Sequence, residues 1–342
     1  MDSQTKRRSG FSLIELLIAS AVLGIVVIYL VQTFTTTQKT YVVVDQVSEA
    51  QQNLRVVADL MERDLRLAGY LVPGHAAVCG VDRADGPDTL FVSNADVILP
   101  ADELKVANFD ALLAGELGAE VSGAGTGPGG VIGGAGTDLS VDSLFLDVAA
   151  NGDDFSVGSG VILVDRNDPD GRTACGTVSG VAGTTVTVDF VTNDLGPMSA
   201  SPDVVAVPAH VYTVTPPDPG ADIPGQLFRD GVLIANDVED LQVAYFFDLD
   251  DDRILDPGEY QGDLGEAVGD GVAVPYDSTA ANGRFLRQVE ISLITSTRED
   301  DPNEDAPQQI QQVTGNRDPG TLDAPDRKRR RVYNSTVRLR NV

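Results

Sequence analysis

At 342 residues and 36.0 kDa, the chain is longer than one average domain, and a hydrophobic fraction of 42% excludes global disorder. Acids outnumber bases 52 to 24, a formal charge of -28, which repels phosphate backbones and argues against nucleic acid as a partner. Two His and two Cys leave little for a histidine-rich metal centre or a zinc module, while 35 Gly and 18 Pro with no Trp favour short strands and turns over a helical bundle.

The chain opens with a basic cluster, Lys6, Arg7 and Arg8, then Ser9 and Gly10, then an apolar run from Phe11 to Val31 whose single charge is Glu15. At about 1.5 Å per residue this run covers roughly 30 Å, the hydrocarbon thickness of a bilayer. The basic cluster would stay on the cytoplasmic side and everything after Val31 would face outward. An ordinary secretory signal places its small-residue cleavage site after the apolar run, whereas here Gly10 precedes it. Glu15 is costly within a membrane span, about 2.5–3.5 kcal/mol on insertion scales and less near a helix end. One reading is an acid held in the first helical turn by the helix dipole and headgroup water.

The order Lys-Arg-Arg-Ser-Gly followed by Phe-Ser-Leu-Ile-Glu resembles the class III signal of type IV prepilins and type II secretion pseudopilins. In that family a membrane-embedded aspartyl peptidase cuts after the glycine and methylates the new amino terminus. The resemblance places Gly10 before the cut, Phe11 as the methylated residue and Glu15 as the fifth mature residue. It also implies that Glu15 pairs with the amine of a neighbouring subunit, so that two charges costly alone in an apolar stack neutralise each other. Such head-to-tail contacts do not close and build helical filaments.

Beyond the apolar run no Pro or Gly occurs until Gly69 and Pro73, and Val47, Ala50, Leu54, Val57, Met61, Leu65 and Ala68 recur at helical spacing. One helix from Phe11 to about Ala68 is the economical reading, an amphipathic extension over 32–70 continuing the membrane segment 11–31. Two helices broken near Thr35–Thr37 are the alternative. The ending Asp64-Leu65-Arg66-Leu67-Ala68-Gly69-Tyr70 resembles that of PilW-type minor pilins and the related J-type pseudopilins. Gly69 suits a helix C-terminus that needs positive φ, and Asp64 and Arg66 read as an intrahelical or packing pair.

From Thr89 the pattern turns to short strands: Thr89–Val92, Ser143–Val148, Val161–Asp165, Thr184–Phe190, His210–Thr215, Leu241–Phe247, Val289–Thr295 and Val332–Leu339. The glycine-dominated stretch 122–137 reads as a flexible loop. Its Gly125-x-Gly127-x-x-Gly130 match contains Pro128 and follows no predicted strand, so a nucleotide fingerprint is not indicated. Val238–Tyr245 and Asn334–Asn341 resemble PilW-type strands. The predicted fold is therefore α+β and pilin-like: leader 1–10, a long N-terminal helix with a transmembrane first half, and an antiparallel β-rich globular domain over 71–342 in the periplasm.

One ligand-like constellation stands in the last third. Asp248, Asp250, Asp252, Asp256 and Glu259 occupy positions 1, 3, 5, 9 and 12 of a calcium loop, with the Ile254 carbonyl at position 7. Arg253 stands where such loops want Gly, and the flanks read as strand and loop rather than helices. An acidic solvated hairpin turn is the alternative. Cys79 and Cys175 lie beyond the membrane run, where an oxidising compartment permits a disulfide; two buried thiols are the other possibility. His75 and His210 stand alone, and Arg327–Arg331 reads as a charged edge or a docking site for acidic neighbours.

No nucleophile elbow, P-loop or zinc-protease motif occurs, so the sequence does not read as an enzyme. The expectation is a minor pilin that primes or tips a type IV pilus, anchored in the bacterial inner membrane with its amino terminus cytoplasmic. The resemblance implies prepilin peptidase, other minor pilins, the major pilin, an assembly platform with its ATPase and a tip adhesin as partners. The alternatives are a type II secretion pseudopilin and, from another class, a membrane-tethered calcium-binding or adhesive ectodomain.

Overall fold

The computed structural model describes residues 12–83, 86–94, 97, 118–124, 136–141, 155–165, 173–190, 204–216, 224–248, 254–255, 260–261, 272–274, 286–298, 300–301 and 327–340. One helix, α1 (Leu13–Leu67), precedes a short 3-10 turn (Gly74–Ala76). Strands follow as β1 (Val78–Asp82), β2 (Thr89–Val92), β3 (Ala119–Ala124), β4 (Thr137–Val141), β5 (Gly160–Asp165), β6 (Thr173–Ala182), β7 (Thr185–Phe190) and β8 (Val204–Thr215). The last are β9 (Gln226–Arg229), β10 (Val232–Asn236), β11 (Val238–Phe247), β12 (Tyr260–Gln261), β13 (Val272–Val274), β14 (Leu286–Ser296) and β15 (Arg330–Arg338).

Helix α1 is unbroken through its threonine-rich centre. The hydroxyls of Thr33, Thr35, Thr37 and Thr40 each donate to a carbonyl three or four residues back, at 2.8–3.1 Å. That back-bonding satisfies the hydroxyls inside the helix, and the two-helix alternative is not what the chain adopts. The helix stops where Gly69 takes φ 77° and donates its N–H to the Ser93 carbonyl at 3.0 Å. A residue with a Cβ would be strained there.

The strands pair antiparallel throughout, and they build two cores that share a wall. Strands β8-β3-β4-β7-β6-β5 form a ring that closes through the β5–β8 pairing, a small barrel in which every strand has both neighbours. Strand β8 outruns this ring: its first half pairs with β5 and β3, and its second half with β2 and β9. Pro208 sits at the changeover, where no ladder bond is demanded of its missing N–H. Its carbonyl accepts from the Ser93 hydroxyl at 2.6 Å. A second sheet, β12-β11-β14-β15, lies beside it, joined through Asp88. The Asp88 N–H donates to the Leu241 carbonyl, and its carboxylate accepts from the Val243 N–H, both at 2.8 Å.

Alternation along β1, β2 and β8 makes the shared wall. Cys79, Phe91 and Val211 face the barrel core with Val161, Leu163, Val186 and Val205. Val78, Leu90, Val92 and Tyr212 face the other core. There the second half of α1 lays Leu54, Val57, Ala58, Met61 and Leu65 against Leu241, Val243, Val289, Ile291 and Leu293 of the second sheet. In the domain predicted as a single helix-on-sheet unit, the barrel supplies a further core.

The predicted strands at Thr89–Val92, Val161–Asp165 and Thr184–Phe190 correspond to β2, β5 and β7, and β7 shows the expected alternation. Those at His210–Thr215, Leu241–Phe247, Val289–Thr295 and Val332–Leu339 correspond to β8, β11, β14 and β15, all four of which begin earlier than predicted. Ser143–Val148 lies outside the described residues. The stretch 122–137 is not wholly loop, since its first three residues belong to β3 and Thr137 to β4; residues 125–135, with the glycine triplet, are not among those described.

Candidate functional site

The amino-terminal segment is built on the first turn of α1. Ser12 precedes the helix in an extended conformation (φ -75°, ψ 144°), and its N–H donates to Oε2 of Glu15 at 2.9 Å. Leu16 N–H donates to the Ser12 carbonyl at 3.2 Å. Glu15 thus serves as the acid of a Ser-x-x-Glu capping arrangement, neutralising a helix N–H that has no intrahelical acceptor. The carboxylate is thereby held one residue from Phe11. Gly10 and Phe11 themselves lie outside the described residues.

From Ser12 to Lys39 every residue is exposed, including Leu13, Leu17, Val22, Leu23, Ile28 and Leu30. The helix is long and apolar enough in this half to cross a membrane, and none of its most apolar stretch is buried inside the fold. A bare apolar cylinder of this length is costly in water, about 25 cal/mol per Å² of apolar surface. Lipid or other helices must cover it.

The other half of α1 is fastened to the strands by two polar clusters as well as by apolar packing. Asp64, 3% exposed, accepts from the Tyr212 hydroxyl at 2.6 Å and from Arg229 Nη2 at 2.7 Å. Burial, then the Asp64 charge, pushes the Tyr212 phenol far above its ordinary value, so Tyr212 stays a proton donor. Arg229 also lies over the Tyr212 ring, 5.9 Å from its centroid. Two residues earlier Glu62 accepts from the Tyr333 hydroxyl at 2.7 Å, from the Ser335 hydroxyl at 2.5 Å and from Arg66 at 2.6 Å. Those hydroxyls hold the Glu62 carboxyl below its ordinary value, and the Tyr333 phenol rises in return.

Asp64 and Arg66 therefore do not pair with one another: Arg66 makes the intrahelical pair with Glu62, and Asp64 reaches across to β8 and β9. The partners Tyr212, Arg229, Tyr333 and Ser335 went unseen in the sequence. The available signal was Asp64 itself, an acid three residues after Met61 on the face that the apolar spacing marks as buried.

The remaining candidates divide. Cys79 on β1 and Cys175 on β6 are joined as a disulfide with Cα atoms 6.3 Å apart, both fully buried; the bond staples β1 of the shared wall to β6 of the barrel. Of the calcium-loop residues, Asp248 and Ile254 are described, and Asp250, Asp252, Asp256 and Glu259 are not. Asp248 is buried directly after β11 and accepts from Arg287 Nε at 3.1 Å, while Ile254 is exposed. Among the described residues no cluster of His, Cys, Asp or Glu is arranged to hold a metal ion. His210 Nδ1 lies 2.6 Å from Asp230 Oδ2, a pair that ties β8 to the β9–β10 turn. His75 belongs to the 3-10 turn.

Two arginines of the basic run 327–331 are spent on buried acids, while Arg327 and Arg331 are exposed. Arg330 and Glu239 form an ion pair with side chains only 4% and 2% exposed, N···O 2.7 Å, and Arg329 pairs with buried Asp301. Arg298 makes two bonds to Asp237, at 2.9 and 2.8 Å, and lies 3.8 Å from Glu49 on α1.

Residues 5–31 match the family model described as the prokaryotic N-terminal methylation motif, a span that contains Gly10, Phe11 and Glu15. No curated protein matches the chain. Among solved structures the chain is similar to a type IV-like pilin, TTHA1219 from Thermus thermophilus, at 10% identity and a TM-score of 0.35, covering 85% of this chain and 97% of that one. At that identity and TM-score the likeness bears on neither the fold nor the function.

Proposed function

We propose that the chain is a type IV minor pilin of the PilW type, cut between Gly10 and Phe11, methylated on Phe11 by prepilin peptidase, and built into a filament through α1. The observation that carries this reading is the N-terminal methylation motif over 5–31 set on a helix whose first half is bare and whose second half is locked to the strands. The first half sits in the inner membrane before assembly and among the helices of other pilins afterwards, and the strand domain is carried outside. Its work is packing rather than turnover.

In the stack, Glu15 exchanges part of its capping role for the amine of a neighbouring subunit, which removes a buried unpaired charge. The partners in this reading are other minor pilins, the major pilin, the assembly platform and a tip adhesin. A chromosomal Glu15→Val variant tests it: the protein should still reach the membrane but be lost from sheared surface filaments. Normal incorporation of that variant would contradict the reading. Deletion separates the two filament systems, since a minor pilin costs the cell its surface pili and a type II pseudopilin costs it secreted enzymes.

A calcium ion on the Asp248–Glu259 segment belongs to the same proposal, supported by the spacing of its acids. Such an ion would share Asp248 with Arg287. Heat on titration with millimolar Ca²⁺, abolished by Asp252→Asn, is the expected result, and no heat with no rise in melting temperature would end the idea.

A further inference from the structure

We propose that the outer edge of β15 is a docking strand that takes up an acidic extended segment of another protein by strand addition. The inference does not depend on how the amino terminus is processed, because it rests on the strand domain alone.

Strand β15 ends the second sheet, pairing with β14 along Arg330–Arg338 without a register shift. The direction of its backbone groups follows from the bonds at its two ends. The Leu339 N–H donates to the Arg287 carbonyl at 2.8 Å, and the Arg329 carbonyl accepts from the Thr297 N–H at 3.0 Å. Odd-numbered residues therefore turn their N–H and C=O toward β14. By strand alternation Val332, Asn334 and Thr336 turn theirs away from the sheet. Among the described residues no strand lies beyond that edge. An open row of donors and acceptors of this length is a template for another strand.

Side chains set what can fit. Tyr333, Ser335 and Val337 point to the α1 side, where Tyr333 and Ser335 bind Glu62 and Val337 is buried. Asn334, Thr336 and Arg338 are exposed, as are Arg327, Arg331 and Arg340. No acid occurs between Arg327 and Val342, in a chain whose formal charge is -28. Among the described residues the acids nearby are Glu239 and Asp301, already paired with Arg330 and Arg329, Glu62, bound by two hydroxyls and Arg66, Asp59 on α1, which bears on Tyr333, and Glu290, opposite Thr336 on β14.

A second copy is the wrong occupant: antiparallel pairing of two such edges about Asn334 would set Arg340 opposite the partner's Lys328 and crowd like charge at both ends. An acidic strand reverses the sign of that term. It gains main-chain bonds from Val332, Asn334 and Thr336 and charge pairing from Arg331 and Arg340.

The test uses the full chain in detergent and fluorescence anisotropy of a labelled peptide of repeating Thr-Thr-Glu-Glu, which carries acids on both faces of a strand, against one of repeating Thr-Thr-Lys-Lys. The glutamate peptide should bind, more weakly as salt rises, and the lysine peptide should not. The double variant Arg331→Glu, Arg340→Glu should weaken binding by at least about tenfold. Thr336→Pro removes an outward N–H that β14 does not use and should weaken it by a similar factor, with the melting temperature kept as a check on folding. Failure of the glutamate peptide to bind would overturn the proposal and leave the arginines as a guard against edge-to-edge association. So would binding indifferent to both variants, or a concentration-dependent dimer of the chain that Thr336→Pro abolishes.

Discussion

Replacing Asp64 by alanine removes the one acceptor that serves both Tyr212 and Arg229. The carboxylate is 3% exposed, and its two bonds are 2.6 and 2.7 Å long. Breaking a buried pair by deleting one partner costs about 3–5 kcal/mol, part of it the stranded Tyr212 hydroxyl at about 1–3 kcal/mol. Arg229 keeps a side-chain exposure of 24% and can turn toward water, which discounts the loss to the low end, about 3 kcal/mol. For a domain of this size that is roughly 6–12 °C in melting temperature. The assay is thermal and urea unfolding of the full chain in detergent, followed by circular dichroism. The double variant Asp64→Leu, Arg229→Met leaves no charge behind but still strands the Tyr212 hydroxyl, and should regain the part of the loss that is due to the charge. A loss below about 1 kcal/mol, the range of an exposed pair, or a double variant as unstable as the sum of its singles, would refute the account of how α1 is held.

Glu62 gives the domain an acid-sensitive contact. Its folded-state value lies below 4.5 because the Ser335 and Tyr333 hydroxyls favour the charged form. Its contribution is therefore complete above pH 4.5 and is lost as pH falls through the lower folded value. Melting temperature of the native chain should drop more steeply in that window than that of Glu62→Gln; parallel curves would contradict the assignment. For the Cys79–Cys175 bond, with 96 residues of separation, chain entropy gives roughly 4–5 kcal/mol. The Cys79→Ala, Cys175→Ala variant should lose stability on that scale, and denatured, unreduced native protein should show no titratable thiol; two thiols would contradict it. Gly80 faces the phenol of Tyr245, so that a Cβ there would collide with it. Gly80→Val should destabilise as overpacking does, about 1–3 kcal/mol, and an unchanged melting temperature would contradict the packing described between β1 and β11.

The helix was legible because its two halves speak in different ways: a bare apolar run, then apolar residues at steps of three and four from Val47 to Ala68. Strand β7 was legible because one face is wet and the other dry, so its residues alternate. The first half of β8 was not, because Val204–Ala209 is buried on both faces and shows neither alternation nor helical spacing, with Pro208 arguing against a strand altogether. Strand β6 hid behind Gly176 and Gly180; a Cβ at Gly176 would meet the backbone of β7, so what resembled a turn signal is close strand approach. The β9–β10 hairpin was missed although Asp230-Gly231, both at positive φ, is the strongest short hairpin signal. The amino-terminal residues were read from a resemblance that short local order carries, Lys6 to Glu15 in one run. The Asp64 cluster joins residues 148 and 165 positions apart, and no local pattern carries that distance.

The central claim is that the chain is cut and methylated at its amino terminus so that Glu15 can meet a neighbour's amine. Intact-mass and N-terminal peptide mass spectrometry of the protein taken from its native membrane tests it most directly. The expected species begins at Phe11 and carries one methyl group on its amine. A native chain that still begins at Met1, or one that begins at Phe11 with a free amine, would contradict the account.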